Sequence, residues 1–130
     1  MNVKETITYI YGKRATFTIS NLNRSKHFTY KRWNKHNTRF IGYLRSKKKY
    51  KYIGILNDDL YLIMTQKSPS ITTPEVTVLN NALARLRAGE LPPDGHIEHC
   101  DRCCMCGRKL TDPESLRTGV GPVCVERGNS

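Results

Sequence analysis

Cys103 and Cys106 stand three positions apart and are followed by Gly107 and Arg108. Two thiolates at that spacing grip one metal ion if the chain turns tightly beyond them, and Gly107 permits the turn. A third thiolate, Cys124, returns after 17 intervening residues, inside Gly119-Val-Gly121-Pro122-Val-Cys124. Structural zinc closes a tetrahedron of four ligands. Cys100 is the first choice for the fourth position, with His99, His96 and Cys104 as alternatives. Cys104 adjoins Cys103, and neighbouring residues seldom reach one ion without strain. The expected cofactor is therefore Zn2+, held by Cys100, Cys103, Cys106 and Cys124 as a closed structural site. The complete HxE…PCxxC pattern of the zinc deaminases is absent. A redox reading of the CxxC needs an α/β context, which the chain lacks.

The second chemical feature is charge. The 130 residues carry a net charge of +11. Residues 1–57 hold fourteen Lys or Arg against the single acid Glu5, a net +13, whereas residues 58–130 hold eight bases against ten acids, a net −2. One-sided basicity favours polyanionic partners, most often nucleic acid. Phe28-Thr-Tyr30-Lys31-Arg32-Trp33 interleaves cations and aromatics most densely. Aromatic faces stack on unpaired bases while cations hold phosphates. The candidate nucleic-acid contacts are Lys31, Arg32, Trp33, Lys35, Arg45, Lys47, Lys48, Lys49 and Lys51. Tyr30, Phe40, Tyr43, Tyr50 and Tyr52 are further aromatics that the same surface can display. Alternation sets Tyr50 and Tyr52 on the face opposite Ile53 and Ile55.

The elements that position these groups read as α+β: a small antiparallel sheet with one packed helix, followed by a short zinc-stapled C-terminal module. Residues 6–11 alternate Thr, Ile, Thr, Tyr, Ile, Tyr, and residues 15–19 alternate again, so a hairpin about Gly12-Lys13 is expected. Residues 39–44, 50–56 and 60–64 complete a sheet of four or five strands, the last two flanking an Asn57-Asp58-Asp59 turn. The basic residues of 24–35 and 45–51 fall in loops or strand ends. Thr73-Pro74-Glu75 starts a helix, Val76, Leu79, Leu83 and Leu86 form its apolar stripe, and Gly89 ends it. The expected units are residues 1–90 and residues 96–130.

With these residues in view, the tail resembles a known segment. Cys103-x-x-Cys106-Gly107-Arg108-Lys109-Leu110-Thr111-Asp112-Pro113-x-Ser115-x-x-x-Gly119-x-Gly121-Pro122-x-Cys124 is similar to a zinc-finger-like stretch of small phage and bacterial proteins, the DUF6011 type. The resemblance implies zinc binding through Cys103, Cys106 and Cys124 and a phage origin. It implies no activity.

No apolar run approaches the roughly 18 to 20 residues of a membrane span, and residues 1–6 lack a signal peptide's apolar stretch. The expected place is the cytoplasm, that of the host if the protein is phage-encoded. There an odd set of five cysteines points to metal rather than disulfides. No Ser-His-Asp set, phosphate loop or carboxylate pair emerges, so no enzyme and no small-molecule substrate is expected. The expected function is that of a zinc-binding, phage-type accessory protein whose basic N-terminal half binds DNA or RNA. The alternative is a phage inhibitor or anti-defence protein that binds a host nucleic-acid-processing protein.

Overall fold

The chain begins with a helix where alternation predicts a strand. Helix α1 spans Val3–Ile10 in the computed structural model, which describes residues 2–21, 27–46, 49–91, 95–100, 109–110 and 119. A capping box fixes its start: the Asn2 side chain accepts the Glu5 N–H at 2.8 Å, and the Glu5 carboxylate accepts the Asn2 N–H at 3.0 Å. Thr6, Tyr9 and Ile10 are buried, with Val3 and Ile7 packed beside them. Spacings of three and four place these residues on one inward stripe. The expected hairpin about Gly12-Lys13 is thereby corrected, since only its second half is a strand.

That strand is β1 (Thr16–Asn21). It is followed by β2 (His27–Lys35), β3 (Thr38–Ser46), β4 (Lys49–Leu56) and β5 (Leu62–Ile63), with β6 (Gly95–His99) late in the chain. All pair antiparallel in one sheet of order β5-β4-β3-β2-β1-β6, six strands rather than four or five. The basic residues of 24–35, expected in loops or strand ends, run through the whole of β2 from residue 27 on, and those of 24–26 lie outside the described residues. His36 and Asn37, both with φ near 60° (52° and 61°), make the two-residue turn into β3, with Lys35 opposite Thr38. Positive φ at both positions matches the twist of a tight hairpin. The basic residues of 45–51 do lie at strand ends, as expected; Lys47 and Lys48 fall outside the described residues.

Helix α2 (Pro74–Arg87) follows expectation, with Glu75 in its first turn. Thr73 stands at the N-cap but its side chain makes no capping bond. Gly89, at φ 77°, closes the other end, its N–H donating to the Leu86 carbonyl at 3.0 Å. Val76, Leu79, Leu83 and Leu86 are all buried against the sheet. Each such side chain contributes about 1.5 to 3 kcal/mol by leaving water. The Tyr30 hydroxyl on β2 donates to the Glu75 carbonyl at 2.6 Å and pins the helix start. Among the described residues two helices, rather than one, therefore pack on the sheet. Among the described residues no helix is long and apolar enough to cross a membrane.

Candidate nucleic-acid interface and the cysteine tail

Strand pairing gathers one set of side chains on the face of the sheet that turns away from the core. Trp33 is opposite Phe40, Lys31 opposite Gly42, Gly42 opposite Tyr52, and Leu44 opposite Tyr50. Directly paired residues share a face, so β2, β3 and β4 each contribute to one surface. Trp33 and Phe40 stack, with centroids 5.8 Å apart and planes 21° apart. Phe40 meets Tyr52 edge-on at 6.1 Å. The result is a row of three half-buried rings across three strands. The Lys31 ammonium lies 5.5 Å over the Tyr50 ring at the side of this row. Lys35 shares the parity of Lys31 and Trp33 and is exposed.

Glycine makes the row possible. A side chain on Gly42 would begin 3.2 Å from Trp33 Cη2 and 2.7 Å from the Lys51 carbonyl oxygen. The bare backbone lets the indole lie flat across β3. A register shift between Ile41 and Gly42 leaves Ile53 without a partner on β3. Ile53 turns into the core, and Ile55 then pairs with Phe40 on the aromatic side. The expected opposition of Tyr50 and Tyr52 to Ile53 holds; that to Ile55 does not, because the bulge reverses the alternation.

Of the predicted contacts, Lys31, Trp33 and Lys35 come together on this face. Arg45 is exposed at the end of β3. Lys49 and Lys51 are exposed but alternate to the other side of β4 from Tyr50 and Tyr52. Tyr30 and Tyr43 are core residues rather than displayed aromatics.

Arg32 is corrected outright, because its side chain is 0% exposed. Its guanidinium donates to the carbonyls of Ile10 (2.9 Å), Trp33 (3.0 Å), Phe40 (3.0 Å), Tyr11 (3.4 Å) and Gly12 (3.3 Å), and to the Asn34 side-chain oxygen (3.1 Å). Ile10, Tyr11 and Gly12 are the end of α1, where carbonyls lack helical partners and the dipole is negative. Arg32 thus clamps α1 to β2 and β3. Burial, aided by the nearby Arg39 cation, lowers its pKa to about 10, which leaves it charged at neutral pH.

The tail meets the sheet at β6. The Cys100 N–H donates to the Thr16 carbonyl at 3.1 Å, and the Cys100 sulfur lies 3.6 Å from the Tyr9 hydroxyl. That hydroxyl gives its proton to the Thr16 carbonyl at 2.9 Å. His99 Nδ1–H donates to the Cys100 carbonyl at 2.6 Å, and the His99 ring lies 5.0 Å from that of Tyr9. Leu110 is buried, and the backbone of Gly119, at φ 77°, sits so close that any side chain there would collide with the Tyr9 ring.

Cys103, Cys104, Cys106 and Cys124, and the side chain of His96, lie outside the described residues. Among the described residues no group of three or more metal-ligating side chains occurs. The described member of the expected set is Cys100, a half-buried thiol free of any disulfide. A thiol that can lose its proton to a soft cation fits a zinc donor set. Lys13, Arg14 and Asn34 border Lys31 and Trp33 around one cleft, and the sequence marks none of them: Lys13 reads as part of a hairpin turn, and nothing local distinguishes the other two.

The described fold and face are those of a small α+β protein with an aromatic and basic sheet surface. Residues 95–127, from β6 onward, match the DUF6011 model, a family of unknown function, which bears out the resemblance of the tail. No curated protein and no solved structure matches the chain.

Proposed function

We propose that this is a non-enzymatic, zinc-binding accessory protein of phage type that binds nucleic acid on its aromatic sheet face. The observation that carries the reading is the row Trp33, Phe40 and Tyr52 with Lys31 and Lys35 beside it. Half-exposed rings offer π-faces to bases, and ammonium groups offer counter-charge to phosphates. Arg45, exposed at the end of β3, adds to the positive field of this surface, and Lys47, Lys48, Lys49 and Lys51 are further phosphate contacts proposed from their charge. Arg32 supports the surface from beneath without touching a ligand. Zinc on Cys100, Cys103, Cys106 and Cys124 would fasten the tail beside β6 and so hold the edge of the sheet.

Fluorescence anisotropy with labelled single-stranded DNA, single-stranded RNA and duplex, over a salt series, tests this. Affinity should fall linearly in log salt. Neutralising one phosphate-binding cation by substitution should lower the slope by about 0.7 to 0.9. Binding to a host nucleic-acid-processing protein, with little salt dependence and no affinity for any nucleic acid, would replace this reading with that of an inhibitor.

A further inference from the structure

Next to Trp33, where the loop after α1 meets β1 and β2, lies an open cleft of about 540 Å3. A volume of that order accommodates a single nucleotide. Its lining among the described residues includes Lys13, Arg14, Lys31, Trp33, Asn34 and, where the tail leaves β6, Cys100, and no carboxylate. Lys13, Arg14 and Lys31 are exposed at its surface. Arg32 forms part of the wall from below. Its partners are carbonyl oxygens and the Asn34 amide, so its positive charge is solvated by dipoles but not neutralised. Low-dielectric walls carrying one sign of charge focus the field into a cleft. The same cleft presents the edge of an aromatic system that continues through Phe40 to Tyr52.

We infer that this cleft is a nucleotide seat: Lys13 and Lys31 hold one phosphate, and the Trp33 indole takes the attached base. The seat is one end of a path, from which the next bases of a single strand run across β3 and β4. This deepens the nucleic-acid reading and rests on it, and it narrows the ligand from nucleic acid in general to an unpaired strand. A duplex keeps its bases stacked on each other and cannot place one against the indole.

Trp33 is the sole tryptophan of the chain, so its fluorescence reports the seat directly. The probes are adenosine monophosphate, adenosine and a single-stranded oligonucleotide. The monophosphate should quench Trp33 at least tenfold more tightly than adenosine. Lys13→Ala with Lys31→Ala should abolish that difference and weaken the oligonucleotide at least tenfold. Lys67→Ala, at an exposed position between β5 and α2 and outside the cleft, should leave both the monophosphate and the oligonucleotide unchanged. Lys31→Ala alone supplies a second variant, expected to narrow the difference between monophosphate and adenosine, and an unchanged thermal melt confirms folding in each. Equal quenching by adenosine and its monophosphate, or no quenching by either, overturns the seat. So does full retention of monophosphate binding in the double variant. In those cases continued salt-sensitive oligonucleotide binding preserves the wider reading. Loss of all oligonucleotide binding by the unmodified protein fails both.

Discussion

Trp33 lies across Gly42, its Cη2 only 3.2 Å from the point where a Gly42 side chain would begin. The two residues sit on adjacent strands, and the smallness of one sets the pose of the other. Gly42→Ala should therefore lift the indole and press on the Lys51 carbonyl, which is 2.7 Å from the same point. The expected result is weaker single-strand binding, close to the loss of about 1 to 3 kcal/mol expected of Trp33→Ala, a typical cost of removing one stacked base. Duplex affinity should change little. Anisotropy titrations of both variants check this, alongside a melt, because overpacking costs about 1 to 3 kcal/mol of stability.

Arg32 carries a structural prediction. Removing it takes the guanidinium donor away from the carbonyls of Ile10, Gly12 and Phe40, and each buried polar group left unpaired costs about 1 to 3 kcal/mol. Arg32→Met should lower unfolding free energy by more than about 3 kcal/mol on that ground. Arg32→Lys should not restore it, since one ammonium cannot replace a planar fork of five donors. Urea denaturation measures both. A loss below about 1 kcal/mol would show that α1 docks without the clamp.

Zinc makes a third prediction, on the proposed staple. One zinc should co-purify per chain, and Cys106→Ser or Cys124→Ser should abolish it. Cys100→Ser should weaken retention far more than Cys104→Ser; the reverse order would move the fourth ligand to Cys104. Chelation should also loosen the packing of Gly119 on Tyr9, which hydrogen exchange at α1 and β6 would register. Structural zinc contributes on the order of 10 kcal/mol to small folds, so the effect should be large. Full zinc retention in Cys124→Ser contradicts the donor set.

How much of the fold and site is legible in the sequence depends on where the deciding interaction lies. Helix α2 is readable because its start, stripe and stop are local: Thr73-Pro74-Glu75, four residues at spacings of three and four, and Gly89. The tail motif is readable for the same reason. Helix α1 is not, because residues 6–11 alternate like a strand while the capping box that selects the helix, Asn2 with Glu5, begins just upstream. Strand β2 escapes because its charges resemble a loop. Its core face is completed by Tyr30 and by an arginine whose burial depends on carbonyls 20 to 22 positions away in the sequence. The aromatic row is legible as composition but not as geometry, since it requires Gly42 and the bulge at Ile53. The cleft is a product of three separate segments and leaves no local signature.

The most direct test of the central claim is a titration of Trp33 fluorescence with single-stranded oligonucleotide at salt concentrations from about 50 to about 200 mM, with matched duplex as control. The expected result is quenching that saturates with the single strand, an affinity that falls linearly in log salt, and a much weaker response to duplex. A folded protein showing no salt-sensitive affinity for any nucleic acid, with Trp33 emission unchanged throughout, would contradict it.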